Sequence, residues 1–511
     1  MASLARLFLW GVVGGLVLGH LAYAQGPPKT SYEAEGARAP EHPEFEPENP
    51  ITLPDALAAA LERNPRLTAF DWELRAADAR LSGAGKRFNP ELSFEVEDIR
   101  LGRGPAATSH TRTLGLNPFA VAYEREHESG APSGFEEAEF TLAFSQTFQT
   151  AGKRGKEKEV ALRAKEVAQW DYEVARANVL SDVSKAFVSL LQAQQRYILT
   201  EELIVLARQV HGIVTARVDA GKVSPIERTK SEVTLEDARL AHDQALNDFR
   251  AARFRLAALM GQEEPEFDAA AGRCGMLAPL PDIDWLRAQI AQSPEIQRWM
   301  AELEKREADV RLKKAHRVPD VTVAVGLRTT GGSDSDSSGW GLDSGRALSF
   351  SRSSADYDKG MDTSVQFEVS IPLKIFSTGG SSLREAEAYA GEAGERRRGA
   401  RLNALATLRE THETLRRARL EIERLRAFSL PKSEDVFRLT QEGYEAGKFE
   451  LLAVLDAQRT LFDVRYRLLN ALETYHLSEV ELGRIIGQPI SCLSKGLRGE
   501  AEEDGPMHNA E

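Results

Sequence analysis

The stretch TSVQFEVSIPLK, residues 363–374, places Val365, Phe367, Val369, Ile371 and Leu373 on one face and Gln366, Glu368 and Ser370 on the other. Alternation with period two marks a strand with one apolar and one polar side. Three more segments read the same way. Val321, Val323, Val325 and Leu327 share a face; Leu92, Phe94 and Val96 alternate with Ser93, Glu95 and Glu97; and Phe140, Leu142 and Phe144 alternate with Thr141, Ala143 and Ser145. Four strands are therefore expected, near 91–98, 139–148, 319–328 and 363–374. A half-buried soluble sheet would give the same alternation. The connections favour another setting: the segments 99–138 and 329–362 are long and rich in Gly, Ser and charge, and each joins two of the strands. Long loops on one side of a strand pair suit an outer-membrane β-barrel.

The chain also reads as two copies of one plan. RNPRL (63–67) faces QSPEI (292–296) and FNPEL (88–92) faces VPDV (318–321), both 229 residues apart; DAGK (219–222) faces EAGK (445–448) and LMGQ (259–262) faces IIGQ (485–488), both 226 apart. Four such matches in the same order indicate an internal duplication. The repeats run over 51–262 and 282–488, joined by a linker at 263–281. Each has the order helix, strand, long loop, strand, very long helix, tight turn, helix.

The long helices are set by what is missing from them. No proline interrupts Lys153–Ala220, and Ser381–Gly443 contains only Pro431. At ~1.5 Å per residue these segments extend to roughly 100 Å and 95 Å, too long for an ordinary globular core. Their Ala- and Leu-rich, charge-laced sequence suits helices packed side by side as coiled coils. Turns are expected near 218–225 and 444–449. Four strands cannot close a barrel, and an open strand edge is forbidden in lipid. If the strands lie in a membrane, the chain must assemble with copies of itself.

Composition narrows the classes. Among 511 residues, 65 Lys and Arg stand against 78 Asp and Glu, leaving a net charge of −13. An acidic chain of this kind offers no basic surface for nucleic acid. The apolar run Leu7–Gly19 is too short to span a bilayer as a helix. With Arg6 before it and Ala22-Tyr23-Ala24 after it, residues 1–24 read as a signal peptide, followed by an acidic linker at 25–50. In that linker EHPEFEPENP, with His42 among glutamates, reads as a solvated tract rather than a cation site. A tail follows at 489–511.

The opening ITLPDALAAALERNP, the FNPEL before the first strand, FSQTFQTAGKRGKEKEVA (144–161) and the turns DAGKVSPIE and YEAGKFELLAVLDAQ resemble the TolC-type outer-membrane efflux channels over almost the whole chain from Ile51 to Gln488. The segment around Gly152-Lys153-Arg154 looks most like the heavy-metal branch of that family, the cobalt-zinc-cadmium or copper-silver type. The resemblance implies a mainly α fold with a small β part. Three copies would form a 12-stranded barrel in the outer membrane above a periplasmic helical tunnel. It implies partners too: a periplasmic adaptor and an inner-membrane pump of the proton-driven RND class, with heavy-metal cations as the exported substrate. A drug-efflux or type I protein-secretion channel is the alternative. A coiled-coil adaptor, expected to show one helical hairpin, and an exported enzyme are weaker rivals.

By the same resemblance, Ala220-Gly221-Lys222 and Ala446-Gly447-Lys448 form the tunnel tip that receives the adaptor. Tyr444, Glu227 and Asp456 contribute to a gate, with Tyr444 donating to the Glu227 carboxylate and three copies of Asp456 ringing the constriction. The chain departs from the family at Phe449 and Ala453, where the reference channel has a basic and an acidic residue, so closure is expected to lean on Phe449 packing. No HxxxH, CxxC, HExxH, GxSxG or GxxxxGK[ST] pattern occurs, so no metal site, cofactor site or catalytic centre is assigned. Cys274 and Cys492 each follow the last helix of a repeat and, in an oxidising compartment, are candidates for a disulfide; two free thiols are the alternative.

Overall fold

The computed structural model describes residues 48–97, 138–272, 275, 277–330, 339–342, 348–351, 362–376 and 378–488. The expected signal peptide, nearly all of the 25–50 linker and the 99–138 loop, the tail and both cysteines lie outside them. The first repeat contains β1 (Pro50–Ile51), α1 (Leu53–Arg63), α2 (Pro65–Ala84), β2 (Glu91–Glu97), β3 (Glu139–Phe148), α3 (Lys153–Asp219), α4 (Pro225–Leu259) and β4 (Ala269–Ala270). The second contains α5 (Ile283–Gln289), α6 (Pro294–Ala315), β5 (Val321–Thr330), β6 (Gly339–Leu342), β7 (Leu348–Ser351), β8 (Asp362–Ser370), α7 (Gly380–Arg424), α8 (Leu430–Glu445) and α9 (Leu451–Ile486).

Local chemistry starts the helices where they start. Asn64 accepts from the Arg66 N–H at 2.9 Å with Pro65 as first helical residue, and Ser224 accepts from the Ile226 N–H at 3.4 Å ahead of Pro225. Capping side chains satisfy orphan donors, and proline has no N–H to lose at a first turn. α3 runs unbroken for 67 residues. Its partner is interrupted: between α7 and α8 lies a π turn, Leu425–Ser429, in which the Leu430 N–H bonds to the Leu425 carbonyl. The extra residue leaves Pro431 in the first turn of α8, where its missing N–H costs nothing.

Side by side, α3 packs along α2, α4, α6 and α9, and α7 along α6 and α9. One apolar cluster joins α1, α3 and α4 through Leu53, Phe187, Leu191 and Leu256; a second joins α5, α7 and α9 through Leu286, Leu415, Ile422 and Tyr475. Where each repeat closes, a glycine meets a helix start. Gly261 (φ 81°) lies so near α1 that a methyl group there would be 2.5 Å from the Arg63 carbonyl oxygen, and one at Gly487 (φ 72°) would be 2.3 Å from Pro294 Cδ. Asn64 ties the first junction by donating to the Leu259 carbonyl at 2.7 Å.

The main sheet is antiparallel throughout, in the order β2-β3-β5-β8-β7-β6. The four expected strands occupy its first four places, and β3–β5 is the seam between repeats. Two readings change. The segment 329–362 is not loop throughout, since β6 and β7 lie within it; at four residues each, among glycines and serines, they are too short for a period-two signal. β8 ends at Ser370 rather than near 374, because its partner β5 begins only at Val321.

Register carries the alternation across all four long strands. Leu92, Phe144, Val325 and Phe367 stand in one row and Phe94, Leu142, Leu327 and Val365 in the next. On the opposite face Ser93, Ala143, Gly326 and Gln366 form a row, as do Glu95, Thr141, Arg328 and Ser364. The apolar face is exposed: Phe94 is 67%, Phe144 52% and Phe367 59% accessible, while on the polar face Ser93, Glu95 and Glu368 are exposed as well. Among the described residues no helix is long and apolar enough to cross a membrane.

The glycine junctions give a test by denaturant unfolding of the purified protein. Gly261→Ala meets both a left-handed backbone and a carbonyl oxygen, and is expected to lose more than ~1–2 kcal/mol. Gly212→Ala, at an open helical position in α3 with no atom near the added methyl group, is expected to be neutral or to gain up to ~1 kcal/mol. Equal midpoints for the two variants would contradict the assignment.

Candidate gate and docking turns

α3 and α8 end in the same way. The Gly221 N–H bonds to the Val218 carbonyl and the Lys222 N–H to the Arg217 carbonyl, both at 2.9 Å; the Gly447 N–H bonds to Tyr444 at 2.9 Å and the Lys448 N–H to Gly443 at 2.7 Å. These are Schellman caps, which require a left-handed residue, and Gly221 (φ 68°) and Gly447 (φ 73°) supply it. Around both glycines a methyl group would meet nothing closer than the Arg217 guanidinium at 3.6 Å. Backbone conformation, not space, selects glycine here. Ala220, Lys222, Ala446 and Lys448 are all exposed.

Beyond the caps, the two turns differ. At the equivalent position four residues before each glycine, the first has Arg217 and the second Gly443. Arg217 reaches across to the other hairpin, with its guanidinium carbon 4.4 Å from the Tyr444 ring centroid and an N–H donated to the Tyr444 carbonyl. Gly443 lets the Phe449 ring close over its own turn, since a methyl group there would lie 2.1 Å from Phe449 Cδ2. Phe449 nevertheless keeps about half its surface, 51%, exposed.

The structure brings Tyr444 and Glu227 together. Tyr444 is buried, 2% exposed, and its hydroxyl donates to Glu227 Oε2 at 3.1 Å, linking α8 to the first turn of α4. Burial first, then the bond and the negative charge of Glu227, push the phenol up to about 12, against the opposing charge of Arg217. The phenol therefore stays a donor throughout the physiological range. An ion pair between Arg228 and Asp219 braces the first turn. Val210, Val214, Phe437, Leu451 and Val454 pack around Tyr444 as the core of the tip.

Asp456 is not part of this cluster. It is exposed on α9 in a stripe with Leu452, Arg459 and Asp463, and it has no hydrogen bond or ion pair with another described residue. Arg217 and Gly443 are the residues the sequence reading missed. The available signal was their mismatch within two otherwise matching turns.

At the other end of α3, strands pass into helices through a buried charge. Lys153, 2% exposed, donates to Asp320 Oδ1 at 2.7 Å, and the same oxygen accepts the Thr150 N–H at 2.9 Å. Burial works to raise the Asp320 carboxyl, but the bonds from Lys153 and Thr150 and the charge of Lys153 hold it below its ordinary value. Among the described residues no group of three His, Cys, Asp or Glu side chains is placed to hold a metal ion.

The sequence pattern of the outer membrane efflux protein family matches residues 56–262 and 285–488. The chain is 28% identical over 439 residues to the cobalt-zinc-cadmium resistance protein CzcC of Cupriavidus metallidurans, covering 86% of this chain and 90% of that protein. Among solved structures, the outer membrane protein VceC of Vibrio cholerae superposes with a TM-score of 0.62 at 17% identity, over 85% of this chain and 96% of that one. The Campylobacter jejuni CmeC outer membrane channel gives 0.63 at 16% identity, over 94% and 97%. Both halves of the duplication thus fall within one matched pattern, and the chain belongs to the outer membrane efflux protein family.

Proposed function

We propose that this outer-membrane channel is the exit duct of a tripartite efflux system. Three copies close a 12-stranded barrel and a helical tunnel, and a periplasmic adaptor docks at the Gly221 and Gly447 turns. An inner-membrane RND pump delivers the substrate, heavy-metal cations. The observation that carries the duct is the exposed apolar face of β2, β3, β5 and β8 backed by a polar face, an arrangement suited to lipid outside and water inside. Similarity to a cobalt-zinc-cadmium resistance protein over most of both chains supports the substrate class. Deletion of the gene should sensitise cells to cobalt, zinc or cadmium more than to a panel of organic drugs; sensitisation to drugs alone would overturn the metal reading.

In this reading the tip is held shut by the bond from Tyr444 to Glu227, with Arg217 clamping the same tyrosine from the other side. A hydrogen bond to a charged group contributes ~1.5–3 kcal/mol, so its loss should raise the open-to-closed ratio roughly tenfold or more. Reconstituted trimers carrying Tyr444→Phe or Glu227→Gln should therefore conduct more than the parent, and unchanged conductance would remove these residues from the gate. Adaptor docking is checked separately. Bulky substitutions at both Gly221 and Gly447 should abolish adaptor capture while trimers persist, and normal capture would place the docking surface elsewhere.

The tyrosine itself can be followed by tyrosinate absorbance, taken as a difference from Tyr444→Phe. A phenol raised in the folded protein contributes stability that is whole below about pH 10 and lost as pH climbs toward about 12. Glu227→Gln removes the neighbouring negative charge and should lower the Tyr444 transition. A transition that does not move would mean the bond is absent in solution.

A further inference from the structure

Where the strands meet the helices, the chain changes its charge. Its overall net charge is −13, yet the crossing from α2 to β2 carries Lys86 and Arg87 with no acid between Gly85 and Pro90, and the crossing from β3 to α3 carries Arg154 and Lys158. All four are exposed, and none has an ion pair with another described residue. The acid of the second crossing, Glu157, is already engaged, since the Gln149 amide donates to both its oxygens at 3.1 Å. The helix does not call for these cations either. The first turn of α3 holds no acidic residue, and positive charge there opposes the helix dipole, which favours anions at that end.

The fold brings the two crossings together. A methyl group at Gly85 would lie 3.6 Å from Lys158 Cδ, so the Lys158 stem rests against the end of α2, and Gln146 of β3 donates to the Phe88 carbonyl at 3.0 Å. On the strand side of the cations stand two exposed rings, Phe88 at 53% and Phe148 at 52%. Phe148 ends the apolar face of β3, where it pairs with Val321. Lys158 lies within ~8 Å of where α3 begins at the helical rise, comparable to a polar headgroup layer ~5–8 Å deep. The second repeat has the same arrangement made of other residues. Lys314, Arg317 and Arg384 are exposed without ion pairs among the described residues, Arg317 Cγ would be 3.4 Å from a methyl group at Gly379, and Val318 and Ile375 are 45% and 71% exposed.

Resting on the lipid-facing reading of the sheet, we propose that Lys86, Arg87, Arg154 and Lys158 form a binding site for anionic phospholipids of the periplasmic leaflet, with Phe88 and Phe148 seated at the acyl boundary. Clustered basic residues beside a membrane-embedded segment hold anionic headgroups, and aromatic rings favour the same boundary. Lys and Arg donate charge-assisted hydrogen bonds to phosphate oxygens while their stems lie along apolar surface. A zwitterionic headgroup offers the same phosphate but cancels its charge. The site therefore selects phosphatidylglycerol or cardiolipin over phosphatidylcholine.

Native mass spectrometry of the purified, delipidated protein, titrated in detergent with cardiolipin, phosphatidylglycerol or phosphatidylcholine, tests the site. The two anionic lipids should bind at least about fivefold more tightly than phosphatidylcholine; equal affinities in the unsubstituted protein would overturn the site without recourse to any variant. Lys86→Gln, Arg87→Gln, Arg154→Gln and Lys158→Gln combined should bind one fewer tightly held anionic lipid per chain. Arg397→Gln, Arg401→Gln, Arg409→Gln and Arg417→Gln combined make the same change of charge at exposed arginines of α7 that also have no ion pair among the described residues, and should lose none. Unchanged stoichiometry in the first set, or the same loss in both, would overturn the site and leave the lipid-facing sheet intact. Val325 and Phe367 found open to water in the reconstituted protein would instead overturn the lipid-facing reading, and the site with it.

Discussion

Backbone N–H and C=O groups cannot be left unpaired in hydrocarbon, where each costs several kcal/mol. In the described sheet the apolar side chains of four strands face outward across β2, β3, β5 and β8, and the strands end at two open edges. Such a sheet is incomplete in a bilayer until copies of the chain join it edge to edge. The helices inherit the constraint. Each long strand runs into or out of a helix on the same side, through Lys153 and Asp320 at the first crossing, so in the proposed trimer a closed ring of strands would be continued by a ring of helices.

The duplication repeats one kind of contact within the chain. β3–β5 joins the two repeats, and the glycine caps at 221 and 447, and at 261 and 487, repeat the same backbone solution. Symmetry breaks at the tip. Arg217 and Gly443 occupy the same place in the two turns, yet one clamps Tyr444 from the opposite hairpin and the other makes room for Phe449.

Much of this was legible in the sequence for simple reasons. The absence of proline over Lys153–Ala220 and the clean alternation in Val365–Val369 left little else for those segments to be. Other features depended on partners that no local pattern reveals. β8 stops where its antiparallel partner β5 begins, not where its own alternation ends. Pro431 alone reads equally as a helix break or a first-turn proline, and only the π turn before it decides between them. β6 and β7 are too short for periodicity to register. At the candidate gate, Tyr444 and Glu227 were reached through family resemblance and donor–acceptor chemistry. Arg217 was missed because its partner lies 227 residues away on the other hairpin.

The most direct measurement is of solvent around the sheet. Nitroxide labels placed singly along β5 from Val321 to Thr330, in trimers reconstituted into lipid, report collision with oxygen, which concentrates in the bilayer, and with a water-soluble nickel complex. The account predicts alternation of period two. Val323, Val325 and Leu327 should favour oxygen, while Ala324, Gly326 and Arg328 should favour nickel. Uniform access to nickel along the strand, or an alternation of opposite phase, would contradict a sheet that faces lipid on its apolar side and water on the other.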